Sequence, residues 1–279
     1  MNELKGRRIL LTGGTGFIGS HLVRALAGAG ARVWALARAA SNRDGLQALA
    51  PSVAAVTGDL SDAASLAACV RAARPEVVVH LARERGNVSF ERQAEATLRL
   101  AAVLRSEAPE LGRFVRTAHA APGRSDEALA GVLSARYGLP VVTLELFQVY
   151  GPGQPDGDFP VCLFDASAEP WRESGGGLQD FVHVRDVARA YALAACRPGL
   201  EGRRLSIGSG TARTTSQAAA VLAGLLPLRR WTPSSAPAGG HGADVTAAKA
   251  LLGWSPEVGL EDGFREMVQC WRSRRAEAE

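Results

Sequence analysis

The chain is poor in lysine. Lys5 and Lys249 are its lysines, and neither has a tyrosine four residues before it. Tyr137, Tyr150 and Tyr191 are followed four residues later by Val141, Gln154 and Ala195. A phenol made more acidic by an ammonium group one helical turn away is therefore excluded. Aromatic residues make up only 6% of the sequence, and the net charge of +4 is scattered along it. Without a basic stripe interleaved with aromatics, no nucleic-acid partner is expected. Cys69, Cys162, Cys196 and Cys270 stand far apart with no C-x-x-C pair, which points to reduced thiols and no structural metal. No apolar run approaches the roughly 20 residues needed to cross a bilayer. Met1 to Gly6 is polar, unlike a signal peptide, so a cytoplasmic protein with no membrane partner is expected.

What is present is an alternation of apolar strands and amphipathic helices. The 279 residues suffice for one α/β domain with a smaller lobe. Arg8 to Thr12, Ala31 to Leu36, Val53 to Thr57, Val77 to Leu81, Phe114 to Ala118 and Val141 to Leu146 read as strands. Gly16 to Gly28, Ser61 to Ala73, Glu91 to Glu107 and Asp126 to Tyr137 read as the helices between them. The pattern implies a Rossmann-type, doubly wound parallel sheet. Residues 1–150 would form it, with 179–207 returning to it, and 151–178 with 208–279 would form a small substrate-binding lobe. Helices are expected at Thr214 to Leu226, at Ala243 to Leu252 and from Leu260 onward, with a loop at Pro233 to Gly242.

Between the first strand and helix lies Thr12-Gly13-Gly14-Thr15-Gly16-Phe17-Ile18-Gly19. Glycines at that junction permit a tight turn, close approach to a pyrophosphate and helix–strand packing. The helix N-terminus supplies free N–H groups for the phosphates. Gly13, Thr15, Gly16, Phe17 and Ile18 are thus candidate dinucleotide contacts. Readers of NAD place an acid at the end of the second strand, ~20 residues on. Here Ala37 occupies that place, followed by Arg38 and, further on, Arg43. A guanidinium there suits a 2′-phosphate, so NADPH is the expected cofactor. Asp59 and Leu60 follow the third strand, and Leu81, Ala82 and Arg83 the fourth, where α/β sheets bind ligands.

These motifs, with Phe147-Gln148-Val149-Tyr150-Gly151-Pro152, Asp180-Phe181-Val182-His183, Ile207-Gly208-Ser209-Gly210 and Leu252-Gly253-Trp254, resemble the extended short-chain dehydrogenase/reductase family, its nucleotide-sugar epimerase and dehydratase branch. The resemblance covers nearly the whole chain. It implies a nicotinamide-dependent oxidoreductase with Phe147 at the cofactor and Gln148 toward the substrate. That family's Tyr-x-x-x-Lys pair is missing, and His119 falls where its catalytic serine or threonine would be. Glu145 and Gln148 replace the usual Arg and Asn, and Gln179 replaces a diphosphate-gripping Arg. The stretch Ala238-Gly239-Gly240-His241-Gly242 lacks a second such Arg.

A ketoreductase whose substrate supplies its own proton fits these losses. A ketone beside a phenol or enol has an internal hydrogen bond, as in aromatic polyketides, and the losses resemble the atypical reductases of angucyclinone tailoring in antibiotic biosynthesis. In a second reading His119, with Thr117 on the same strand face, donates the proton. Further alternatives are a nucleotide-sugar epimerase or dehydratase and a non-catalytic NADP-binding regulator. A small-molecule substrate is expected, with the chain a monomer or a homodimer.

Overall fold

The computed structural model describes residues 2–49, 51–83, 89–119, 127–166, 171–172, 177–232 and 240–278. The chain divides into two compact units, Met1–Glu145 with Ala188–Leu205, and Leu146–Val187 with Ser206–Glu279.

In the first unit the alternation is β1 (Arg8–Thr12), α1 (Phe17–Gly28), β2 (Arg32–Ala37), α2 (Asp44–Gln47), β3 (Val53–Thr57), α3 (Ala63–Ala73) and β4 (Val77–His80). It continues with α4 (Phe90–Glu107), β5 (Arg113–His119), α5 (Glu127–Tyr137) and β6 (Val141–Leu146). Next along the chain come β7 (Gln148–Tyr150), β8 (Trp171–Arg172) and β9 (Leu178–His183) of the second unit, then α6 (Val184–Cys196), within which the first unit resumes at Ala188, and β10 (Arg204–Ile207). The seven-stranded sheet has the order β10-β6-β5-β4-β1-β2-β3. Strand order reverses at β1, which lies parallel between β2 and β4. Such a switch point opens a crevice at the carboxyl ends of the strands.

Local physics accounts for the elements. Strands covered on both faces are apolar throughout, and every residue of β4 is buried. The Asp62 carboxylate accepts the Ala64 amide to start α3, as expected of an N-cap. Helices α3 and α4 pack through Leu66, Val70, Leu100 and Leu104 against Phe114 of β5 and Leu133 of α5. Arg113, buried in β5, donates to the Ala194 and Arg197 carbonyls at 2.9 and 2.8 Å, closing the C-terminal end of α6.

The second unit adds β11 (Ala212–Thr214), α7 (Thr215–Ala223), β12 (Trp231–Thr232), α8 (Thr246–Leu252) and α9 (Leu260–Ala278). Its three-stranded sheet has the order β11-β9-β7. Tyr150, Leu163, Phe164, Phe181, Leu222 and Phe264 form its core. Two carboxylates hold its loops. Asp180 accepts amide hydrogens from Ser209, Gly210 and Ala243. Asp186 accepts those of Glu257 and Val258, while its carbonyl takes the Trp254 indole N–H at 2.9 Å.

Several elements differ from the sequence expectation. Residues 179–207 do not return to the large sheet as a block: β9 pairs with β7 and β11, and the first unit resumes at Ala188, within α6. Asp180 ties β9 to the loops at 209–210 and 243. Helix α8 begins at Thr246 instead of Ala243, because the Ala243 amide is spent on Asp180 and Asp244 accepts the Thr246 amide. Helix α7 begins one residue late because Thr214 is its cap, in a reciprocal capping box with Gln217. Asp126 and residues 233–239 lie outside the described residues.

Asp180→Ala would strand three amides in a buried site. We expect it to destabilise the protein by about 3 kcal/mol or more, read as a lower urea midpoint. A loss within about 0.5 kcal/mol, the scale of surface substitutions, would contradict this role.

Candidate functional site

The glycine turn is shaped by close approach. Gly13 has φ +78°, and a methyl there would sit 2.8 Å from the Ala82 amide nitrogen. A methyl at Gly19 would overlap the Gly13 carbonyl. Gly16 is the N-cap of α1 in extended conformation, and no side chain caps that end. The Gly16 amide donates to the Gly13 carbonyl at 3.0 Å, which closes the turn. Thr15 is exposed, and Phe17 and Ile18 are half-buried. A tight glycine cradle at an uncapped helix end fits a dinucleotide's pyrophosphate. Gly13, Thr15, Gly16, Phe17 and Ile18 are the residues that would hold it.

At the end of β2, Ala37 is buried and Arg38 exposed. Arg43 is held back onto the sheet, its Nη2 donating to the Ala37 and Arg38 carbonyls at 3.3 and 3.1 Å and to Thr57 Oγ1 at 2.9 Å. It helps line an open depression of about 460 Å³ with Ser41, Asn42, Asp44 and Thr57. The depression therefore holds one fixed cation and one carboxylate. Sequence reasoning passed over Asp44, which lies beyond the strand end where an acid is usually sought.

Asp59 accepts the Ser61 amide at 2.8 Å and the Ser61 hydroxyl at 2.7 Å. These bonds, with the positive fields of Arg38 and Arg99, hold its carboxyl below the usual range. Arg99 of α4 donates to the Leu60 carbonyl at 3.0 Å, fixing that turn. Leu81 and Ala82 are half-buried and Arg83 is exposed.

Beneath the glycine turn lies a polar cluster that sequence reasoning missed. His80 is buried, its Nδ1 2.7 Å from Thr12 Oγ1 and its Nε2 3.1 Å from Thr97 Oγ1. Burial, aided by the positive field of Arg116, pushes its pKa down to about 4. The signal in the sequence was a histidine closing the apolar run Val77-Val78-Val79, where no water would satisfy it.

Thr117 is half-buried on β5, its hydroxyl 2.6 Å from the Tyr191 phenol and 3.3 Å from the His80 carbonyl. Tyr191 is fully buried, and burial raises its pKa. His119 is exposed at the last position of β5, and residues 120–126 lie outside the described residues.

Phe147 and Gln148 belong to the second unit. Phe147 meets His241 edge-on, ring centroids 5.9 Å apart, and Gln148 opens β7 opposite Phe181. Tyr150 is buried among Phe181, His183 and Phe264, and its pKa is raised by that burial and by the carboxylates of Asp186, Asp262 and Glu266. Gln179 pairs across the antiparallel ladder with Arg213, a cation that motif reading had not connected with it. Glu145 forms an ion pair with Arg204 at 2.5 Å.

The sequence profile of the NAD dependent epimerase/dehydratase family matches residues 9–127 and 124–208. The chain belongs to that family, within which it is a nicotinamide-dependent, oxidoreductase-like member. It is 27% identical to a UDP-glucose 4-epimerase of Mycolicibacterium smegmatis, over 96% of this chain and 99% of that protein. It is 29% identical to a dTDP-4-dehydro-6-deoxy-D-allose reductase of Streptomyces sp, over 66% of this chain and 71% of the relative. Among solved structures, the dTDP-glucose 4,6-dehydratase DesIV of Streptomyces venezuelae, with NAD and TYD bound, is 25% identical. Its TM-score is 0.82, over 97% of this chain and 98% of that one. Among the described residues no helix is long and apolar enough to cross a membrane.

The buried imidazole makes stability depend on pH. A histidine whose folded pKa is about 4, against an ordinary 6.5, binds fewer protons folded than unfolded between those values. Its contribution is complete above pH 6.5 and is lost as pH falls toward 4. The loss amounts to roughly 3 kcal/mol. Urea unfolding of the wild type should therefore fall off more steeply than that of His80→Asn between pH 7 and 4. Parallel profiles would show that His80 does not titrate in this way.

Proposed function

We propose that this chain is an NADPH-dependent ketoreductase for a ketone that carries its own hydroxyl beside the carbonyl. An aromatic polyketide of the angucyclinone kind, reduced in antibiotic biosynthesis, is the substrate class that fits. The observation that carries this reading is the state of the tyrosines. Tyr150 and Tyr191 are both buried with raised pKa values. Tyr137 ends α5 under the Arg136 guanidinium, and no tyrosine has a lysine partner in sequence. The acid that completes carbonyl reduction therefore comes from another group.

When bound, the reduced nicotinamide supplies a hydride equivalent to a carbonyl carbon. The chain's own residues bind and orient. The glycine turn would take the pyrophosphate, Asp59 and Leu60 the adenine side, and Leu81, Ala82 and Arg83 the middle of the cofactor. Arg38 and the pinned Arg43 would take a 2′-phosphate, whereas Asp44, which lines the depression with Arg43, would suit the ribose hydroxyls of NAD. Thr117 and His119 would face the reacting end. A hydroxyl adjacent to the ketone shares its hydrogen with the carbonyl oxygen; as the alcohol forms that proton moves to the oxygen, leaving a phenolate or enolate that is reprotonated from solvent.

A second reading, an epimerase or dehydratase of a nucleotide sugar, is favoured by the relatives named above and by Arg213 opposite Gln179. It would need a base for the sugar hydroxyl, and the family's usual phenol is missing.

Purified protein should oxidise NADPH, followed by nicotinamide absorbance, with a hydroxyaryl ketone and not with a simple ketone. His119→Ala should slow that turnover less than tenfold. A loss of several orders of magnitude would make His119 the donor, and saturable thermal protection by UDP or dTDP would favour the second reading.

Arg38→Ala and Arg43→Ala should each raise the KM for NADPH by about tenfold, on the scale of one lost charged hydrogen bond, and leave that for NADH nearly unchanged. Equal effects on the two coenzymes, or tighter NADH than NADPH binding by the wild type, would overturn the NADPH assignment.

A further inference from the structure

We propose that His80 is a positioning residue for the coenzyme cradle: as a neutral imidazole it locks the Thr12 hydroxyl in place, and that hydroxyl fixes the Ala82 amide against the glycine turn. The proposal rests on the coenzyme reading above.

The direction of every hydrogen bond follows from the two ends of the chain of contacts. Thr97 Oγ1 donates to the Gln93 carbonyl at 3.1 Å, and a carbonyl can only accept. With its hydrogen spent there, Thr97 Oγ1 must accept from His80 Nε2–H at 3.1 Å. In a neutral ring Nδ1 is then bare and accepts the Thr12 hydroxyl hydrogen at 2.7 Å. The Thr12 oxygen in turn accepts the Ala82 amide at 3.1 Å, and an amide can only donate. The opposite tautomer would leave no hydrogen between Thr97 Oγ1 and Nε2 and would set Nδ1–H against the Thr12 hydroxyl, whose own hydrogen would lose its acceptor. One tautomer satisfies the chain of contacts.

Thr12 thus stitches the exits of β1 and β4 together with both of its oxygens. Its carbonyl takes the Leu81 amide at 3.2 Å and its hydroxyl the Ala82 amide. This seam lies where Gly13 meets Ala82 too closely for any side chain. The strands are in register here, Thr12 beside His80 and His80 beside Arg116. Phe114 of β5 packs at a ring-centroid distance of 6.0 Å from His80. Arg116 is the charged group facing the ring from β5, and its cation disfavours a second proton on it. An imidazolium would turn Nδ1 into a donor and deprive the Thr12 hydroxyl of its acceptor.

A purely space-filling histidine would be replaceable by phenylalanine, and that is the distinction to test. Long-range proton–nitrogen NMR of the coenzyme-free protein at pH 7 should show His80 as the neutral Nε2–H tautomer; the Nδ1–H tautomer or an imidazolium would overturn the proposal. Fluorescence titration with NADPH and NADH should show His80→Phe binding the preferred coenzyme at least tenfold more weakly than wild type. His80→Asn, whose amide oxygen can replace Nδ1 as the acceptor, should stay within about threefold. Thr12→Val, isosteric and lacking the hydroxyl, should match His80→Phe, and the double variant should be no worse than either. Binding by His80→Phe or Thr12→Val within twofold of wild type, or additive losses in the double variant, would overturn the proposal. If His80→Phe does not fold, Thr12→Val and the tautomer measurement decide. A wild-type protein that binds neither coenzyme sinks the coenzyme reading and this proposal with it. That outcome differs visibly from binding that is normal and indifferent to His80.

Discussion

The first unit depends on the close contact between the exits of β1 and β4. Gly13, at φ +78°, brings the chain within van der Waals contact of the Ala82 backbone. Thr12 then supplies acceptors for two consecutive amides of the opposing strand exit. Two parallel strands ordinarily diverge once their ladder ends, and their next amides turn to water. Here the ladder is prolonged by a side chain, whose geometry is in turn set by a buried ring. The glycine turn, the helix N-terminus at Gly16 and the half-buried Leu81-Ala82 pair are thereby held as one surface. A polar cluster this deep is tolerated because each of its members is hydrogen-bonded.

The second unit solves a similar problem with carboxylates. Asp180 and Asp186 each accept backbone amides from loops distant in sequence. A charge with several converging N–H donors can be buried where a lone one could not. Asp180 also engages the Ala243 amide, so α8 begins at Thr246, a boundary that periodicity alone does not mark.

The chemistry is defined by what the fold retains and what the chain has lost. The cradle expected of the family is intact, while the phenol–amine couple is missing and the remaining buried tyrosines are engaged elsewhere. The Tyr191 phenol, beside Thr117 on the strand that leads to His119, is held by burial in its neutral form. It orients a hydroxyl and is poorly placed to give up a proton, since a phenolate there would lack solvent.

The order of strands and helices was legible in the sequence, because both-face burial and helical periodicity are written locally in residues such as Val77 to Val79 and the Asp62 cap. The glycine turn was equally legible, since its residues are contiguous. The missing Tyr-x-x-x-Lys pair needed no structure at all. The partners of the polar groups were not legible: Thr12, His80 and Thr97 come from three separate elements, and Arg213 meets Gln179 only through strand register. The role of Arg43 likewise depended on the carbonyls and hydroxyl that pin it. Local pattern determines which segments become strands and helices; only the packed structure decides which buried donor finds which acceptor, because hydrogen bonds are short and directional and sequence spacing does not encode distance across a sheet.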